Sequence, residues 1–79
     1  MTDRLSDVHD SGMTERAIRS QGDILEVATA EFAANGYAGA RVDEIAARTR
    51  TTKRMIYYYF GSKQGLYLAV LERVYAQIR

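Results

Sequence analysis

Two short apolar helical stripes separated by three or four residues occupy Val42 to Lys63, VDEIAARTRTTKRMIYYYFGSK, and this spacing limits what the chain can form more than any other feature. Val42, Ile45, Ala46 and Thr49 stand at offsets 0, 3, 4 and 7, the period of one buried helix face. Beyond Thr49, the Thr52 side-chain oxygen is placed to accept a first-turn amide and cap a second helix, on which Ile56 and Phe60 continue the apolar stripe. Two helices joined this tightly, each with one apolar face, make a helix-turn-helix unit whose second helix can enter a DNA major groove. Ala46 suits the crossing between them, where a larger side chain would cost about 1–3 kcal/mol through overpacking.

The charge is segregated along the chain. Net charge is +1, yet Arg41, Arg48, Arg50, Lys53, Arg54 and Lys63 face only Asp43 and Glu44 within the segment, while residues 1–35 are acidic on balance. A local basic patch of this kind is the electrostatic footprint expected of a polyanion-binding surface; a solvated helix face gives the same composition. Seventy-nine residues allow one small core. With no cysteine, there are neither disulfides nor thiolate sites. No apolar run has signal-peptide or membrane-span length, which argues for a soluble, unexported protein with no membrane partner.

Gly36-Tyr37, Val42 to Ala46 (VDEIA), Ile56 to Phe60 (IYYYF) and Ser62-Lys63, in this order and at these spacings, resemble the amino-terminal domain of the TetR family of transcriptional regulators. The resemblance covers about residues 20–70. It implies an all-α fold: a three-helix, homeodomain-like helix-turn-helix bundle followed by the start of a long fourth helix. It further implies a cytoplasmic, nucleoid-associated bacterial protein, probing a palindromic operator in double-stranded DNA as a homodimer. A larger carboxy-terminal domain, outside this sequence, would form the dimer and bind a small-molecule effector that controls repression.

The domain reading that follows has three parts: a disordered polar arm over 1–19, a helix-turn-helix core over 20–62, and a fourth helix over 63–79. The arm, from MTDRLSDVHDSGM onward, is polar and without period; Met13 is a second candidate start, and Arg16 and Arg19 are candidate arm contacts to DNA. Ser20 and Asp23 have capping-box spacing ahead of Ile24, Val27, Ala28 and Phe32, so the first helix is expected over about 21–35 and to close at Gly36, with Phe32 and Tyr37 in the core. The second helix is expected over 42–49 and the third over 53–59. Arg50 occupies a turn position where the family usually has glycine, which would hold a side chain at positive φ at a cost of about 1 kcal/mol.

The candidate base contacts are Thr52, Lys53, Arg54 and Tyr59; the candidate phosphate contacts are Arg50, Tyr57 and Lys63. Arg54 leads because a guanidinium donates two parallel bonds to guanine O6 and N7, and the first turn of the second helix is the part that enters the groove. Met55 can touch a thymine methyl. Three consecutive tyrosines, about 100° apart on a helix, must divide between core and groove. The resemblance gives a phosphate bond to Tyr57 and a groove-facing contact to Tyr59; Tyr58 fits either side. Ser62 is placed to cap the fourth helix, leaving Lys63 in a first turn where a cation is unfavourable unless an external anion is near. There the resemblance implies a phosphate contact.

The fourth helix has two apolar stripes: Leu66, Ala69, Val70 and Val74 on one, and Tyr67, Leu71, Tyr75 and Ile78 on the other. One small core cannot bury both. The second stripe therefore supports either further chain or a rival function, a helical protein-interaction module. An enzyme is not expected: the only histidine, His9, lies in the arm, and the carboxylates Asp43 and Glu44 are simply neighbours on one helix turn. The same poverty of ligands leaves no expected cofactor and no expected metal site.

Overall fold

The structure, a computed structural model, describes residues 15–78. The expectations for His9 and Met13 lie outside that range. Four helices follow in order: α1 (Glu15–Gly39), α2 (Val42–Arg48), α3 (Lys53–Phe60) and α4 (Lys63–Ile78), with no strand among the described residues. The domain is all-α, as the periodicities require. Each helix sends one stripe inward: Ile24, Ala28 and Phe32 from α1, Val42, Ile45 and Ala46 from α2, Ile56 from α3, Leu66 and Val70 from α4. Ile24, Ile45, Ile56 and Leu66, one from each helix, are the largest fully buried side chains. No helix is long and apolar enough to cross a membrane.

The first helix differs from its expected span. It begins at Glu15, so Arg16, Arg19 and Ser20 are helical and Ser20 is not a cap. The physical reason is local: Glu15 to Ser20 contains no breaker, Glu15 sits favourably at the positive end of the helix, and it pairs with Arg19 one turn on at 3.5 Å. Arg16 and Arg19 therefore belong to a rigid helix and not to an arm. At the other end Gly36 breaks the helix at φ 73°, ψ 172°, a conformation open to glycine, and one further turn runs to Gly39. Tyr37, expected in the core, lies in that last turn and is exposed.

A buried carboxylate ties this corner together. Glu31 is the one charged residue buried among those described, at 6% exposure. Its Oε2 accepts from Asn35 Nδ2 at 3.0 Å and from the Arg41 backbone amide at 3.2 Å, and its Oε1 accepts from Arg48 Nη1 at 3.2 Å. The three donors come from α1, from the connection into α2, and from the last turn of α2. Arg41 flanks α2 with no side-chain cap of its own, so Glu31 takes up an amide at the very point where the new helix starts.

The fourth helix is half built into this head. Leu66 and Val70 are buried, Val74 packs beside them, and Arg73 Nη1 donates to the Gly22 carbonyl of α1 at 3.1 Å. A boundary between 62 and 63 thus cuts through the core. Of the second stripe, Tyr67 turns inward against Phe32, with ring centroids 5.0 Å apart, and Leu71 is half-buried, while Tyr75 and Ile78 stay exposed; Leu68, outside both stripes, is exposed as well.

Replacing Glu31 with alanine should lower the unfolding free energy by about 2–3 kcal/mol in urea titration, because charged hydrogen bonds are lost and a first-turn amide is orphaned. Arg48→Ala, which removes only the exposed partner, should cost about 1 kcal/mol. Equal losses would show that the carboxylate acts through Arg48 alone.

Candidate nucleic-acid interface

The turn between α2 and α3 is closed by backbone bonds that dictate where α3 starts. The Thr51 amide donates to the Ala46 carbonyl at 3.0 Å and the Arg50 amide to the Ala47 carbonyl at 3.4 Å, the paired pattern in which the residue after the cap is left-handed. That residue is Arg50, at φ 59°, the only non-glycine with positive φ among the described residues. The strain anticipated from the sequence is present. Its side chain is exposed at the edge of the turn.

Beyond the turn, Thr52 Oγ1 accepts from the Met55 amide at 3.1 Å and caps α3. A hydroxyl has one donor and two acceptor positions, so capping leaves its proton free to be donated outward. Ile56 is buried, with Tyr59 and Phe60 packed against the core, at offsets 0, 3 and 4. On the opposite side Arg54, Tyr57, Tyr58 and Gly61, at offsets 0, 3, 4 and 7, form one exposed stripe. Arg54 has no carboxylate partner among the described residues and stands free at the amino-terminal end of that stripe.

The tyrosines divide differently from the expectation. Tyr59, expected to face a groove, is half-buried, its ring in edge contact with Tyr58 at 5.6 Å and with Phe60 at 6.2 Å. Tyr58 is the most exposed of the three at 78%. The reason is the position of Ile56: once that side chain is the anchor of α3, the residue three further on must follow it inward and the residue two further on must point away. Tyr57 is exposed within that stripe.

Lys53 is not free. Its Nζ lies 3.2 Å from Asp43 Oδ1, linking the first turns of α3 and α2, with both side chains more than half exposed. An exposed pair of this kind is worth about 0–1 kcal/mol and is exchanged readily for another anion. Lys63 has no acid partner among the described residues. Its Nζ sits 4.8 Å from the centroid of the Tyr37 ring, within cation–π range. Ser62 Oγ accepts from the Gly65 amide at 3.0 Å, so α4 begins as its sequence requires, with Lys63 in the first turn.

Gly65 was not singled out by the sequence reading. A Cβ at this position would overlap the Phe60 carbonyl oxygen, so the end of α3 rests directly on the first turn of α4. A glycine inside an otherwise regular helix pattern is the signal for such a close backbone approach. This contact sets the angle between the exposed stripe of α3 and Lys63. No group of three or more acidic, histidine or cysteine side chains able to hold a metal exists among the described residues.

A core shared by four helices, with the short second helix of the motif presented outward, defines a helix-turn-helix head. Residues 24–70 match the family described as bacterial regulatory proteins, tetR family, and the chain belongs to that family. It is 42% identical over 62 residues to the transcriptional repressor NicS of Pseudomonas putida, covering 78% of this chain and 29% of that protein. It is 54% identical over 50 residues to the transcriptional repressor SCO4008 of Streptomyces coelicolor, covering 63% and 26%. It is 45% identical over 53 residues to the transcriptional activator FasR of Mycolicibacterium smegmatis, covering 67% and 24%. The matched stretch spans less than a third of the length of each of these relatives.

Substitutions at two positions probe the geometry without touching a partner. Arg50→Gly should raise stability by up to about 1 kcal/mol, the strain relieved being larger than the unfolded-state entropy gained, whereas Arg50→Ala should not. Gly65→Ala should cost about 1–3 kcal/mol and shift amide resonances at both Phe60 and Lys63. An unperturbed spectrum for Gly65→Ala would mean that the two helices do not rest on each other there.

Proposed function

We propose that this chain binds double-stranded DNA through α3 as the reader head of a ligand-responsive transcriptional regulator. The observation that carries the reading is the exposed stripe of α3, on which Arg54 stands unpaired, flanked by Arg50 at the preceding turn and Lys63 at the following one. A helix set outward in this way fits the major groove, and cations at its two margins meet the phosphate ridges on either side. Arg54 reads a guanine by two parallel bonds; Lys53 reaches the same acceptors after exchanging Asp43 for DNA. Thr52 donates its hydroxyl at the helix start. Tyr57 joins Arg50 and Lys63 on phosphates, and Tyr58 takes the groove-facing place that the family resemblance gave to Tyr59.

The larger assembly is part of the same proposal. Two heads related by a dimer axis read a palindromic operator, and an effector bound to a further domain changes their separation and releases the DNA. Repression is favoured by the names of NicS and SCO4008, while FasR carries the opposite sign on a similar head. Action on chromosomal DNA places the protein in the bacterial cytoplasm, and DNA reading without chemistry makes it no enzyme. The rival reading, an interaction module on the Tyr67, Leu71, Tyr75 and Ile78 stripe of α4, is weakened because Tyr67 faces inward and Leu71 is half-buried, leaving Tyr75 and Ile78 of that stripe exposed.

Binding to a randomised duplex library at several salt concentrations tests the reading. Arg54→Ala should lose about 1–3 kcal/mol on preferred sequences and relax preference at one position; Lys63→Ala should weaken all sequences alike and lower the salt slope by about 1. If Arg54→Ala weakens every duplex equally, Arg54 is a phosphate contact and not the reader.

A further inference from the structure

We infer that Tyr37 is a positioning residue that seats the Lys63 ammonium, in the first turn of α4, for contact with a backbone phosphate. The inference rests on the DNA-binding reading and assigns to Tyr37 a part that neither the motif nor the core explains. Tyr37 was expected in the core, yet it is 41% exposed. Its ring is nonetheless held firmly. It stacks on the buried Phe32 at 6.0 Å with an interplanar angle of 6°, and meets the Tyr67 ring edge-on at 5.1 Å. Phe32 and Tyr67 also contact each other, so the three rings form a closed triad spanning α1 and α4. The Lys63 ammonium lies on this platform, 4.8 Å from the Tyr37 centroid.

The arrangement solves a specific electrostatic problem. A lysine at a helix start feels the positive end of the helix and tends to swing away from it. An acidic neighbour would hold it, at the cost of competing with any phosphate that arrives. Lys53, paired with Asp43, shows that second case in the same molecule. A ring face attracts the ammonium while bringing no negative charge and accepting none of its three protons in a strong hydrogen bond. The cation is thus held in place with its donors still available. The hydroxyl of Tyr37 is not needed, since phenylalanine presents the same face.

The test has two arms on the same protein. In the unbound chain, ring current from Tyr37 should move the Lys63 ε-methylene protons upfield in the proton spectrum; the shift should persist in Tyr37→Phe and vanish in Tyr37→Leu. Lys63 ε-protons at ordinary lysine positions in the unsubstituted protein would overturn the seat, and that observation needs no variant to fold. In binding to a mixed-sequence duplex at low salt, Tyr37→Leu should weaken affinity roughly 2- to 10-fold, the range expected when a long side chain must be ordered on binding. Tyr37→Phe should bind as the unsubstituted chain does. In a Lys63→Met background the effect of Tyr37→Leu should disappear. Persistence of the full loss in that background would overturn the proposal in favour of a packing role, as would unchanged or tighter binding by Tyr37→Leu. Absence of DNA binding by the unsubstituted chain would defeat the reading of function and this phosphate role with it, while the upfield shift would still report whether the ammonium sits on the ring.

Discussion

The buried carboxylate of Glu31 is the interaction on which the geometry of the head depends. An ion taken out of water must recover its solvation from the protein, and Glu31 does so with three donors drawn from successive parts of the chain. Each donor it recruits is thereby fixed in direction. The start of α2 is held through the Arg41 amide and the end of α2 through Arg48, so a helix of only seven residues is pinned at both termini. Isolated helices of that length are not stable in water. With α2 so fixed, the turn at Arg50 has a defined origin and α3 a defined exit, so the exposed stripe of α3 takes its orientation in part from a buried acid on α1.

Cations on this surface are managed in three ways, each with a different consequence for an incoming polyanion. Arg48 is committed to structure through its 3.2 Å pair with the buried Glu31 carboxylate. Lys53 is committed weakly, through an exposed pair with Asp43. Arg50, Arg54 and Lys63 have no acid partner among the described residues. The formal count of positive charge in the segment therefore overstates what is available to a ligand, and the residues that remain are Arg41 ahead of α2, Arg50 and Lys63 at the two margins, and Arg54 in the first turn of α3.

Much of the fold was legible because burial imposes a period. The stripes of α2, α3 and the inner face of α4 appear in the sequence at helical offsets, and the caps at Thr52 and Ser62 follow from the chemistry of a hydroxyl beside a free amide. The left-handed Arg50 was legible from a substituted glycine position. What escaped was of two kinds. The start of α1 depends on the absence of a breaker before Ser20, and a plausible cap concealed it. The roles of Glu31 and Tyr37 depend on contacts between segments distant in sequence, for which a single residue type gives little sign, whereas the inward phase of Tyr59 and the close approach at Gly65 had signals in the sequence: the Ile56 stripe and a glycine within a helical pattern. Glu31 reads as one more surface acid on an amphipathic helix.

The sharing of α4 has a consequence for modularity. Its first half contributes Leu66 and Val70 to the core, supplies the floor on which the end of α3 rests at Gly65, carries Lys63 and presents Leu68 outward; its second half ties back to α1 through Arg73 and presents Tyr75 and Ile78 outward. No cut within this helix before Val74 leaves a complete head. A graft of this head onto another protein must carry the helix at least through Val74, and the recipient must continue it in helical phase, since each residue added or removed rotates whatever follows by about 100°. The joint in such a graft is one continuous helix, and transplantation is governed by its angular register more than by the identity of the residues at the seam.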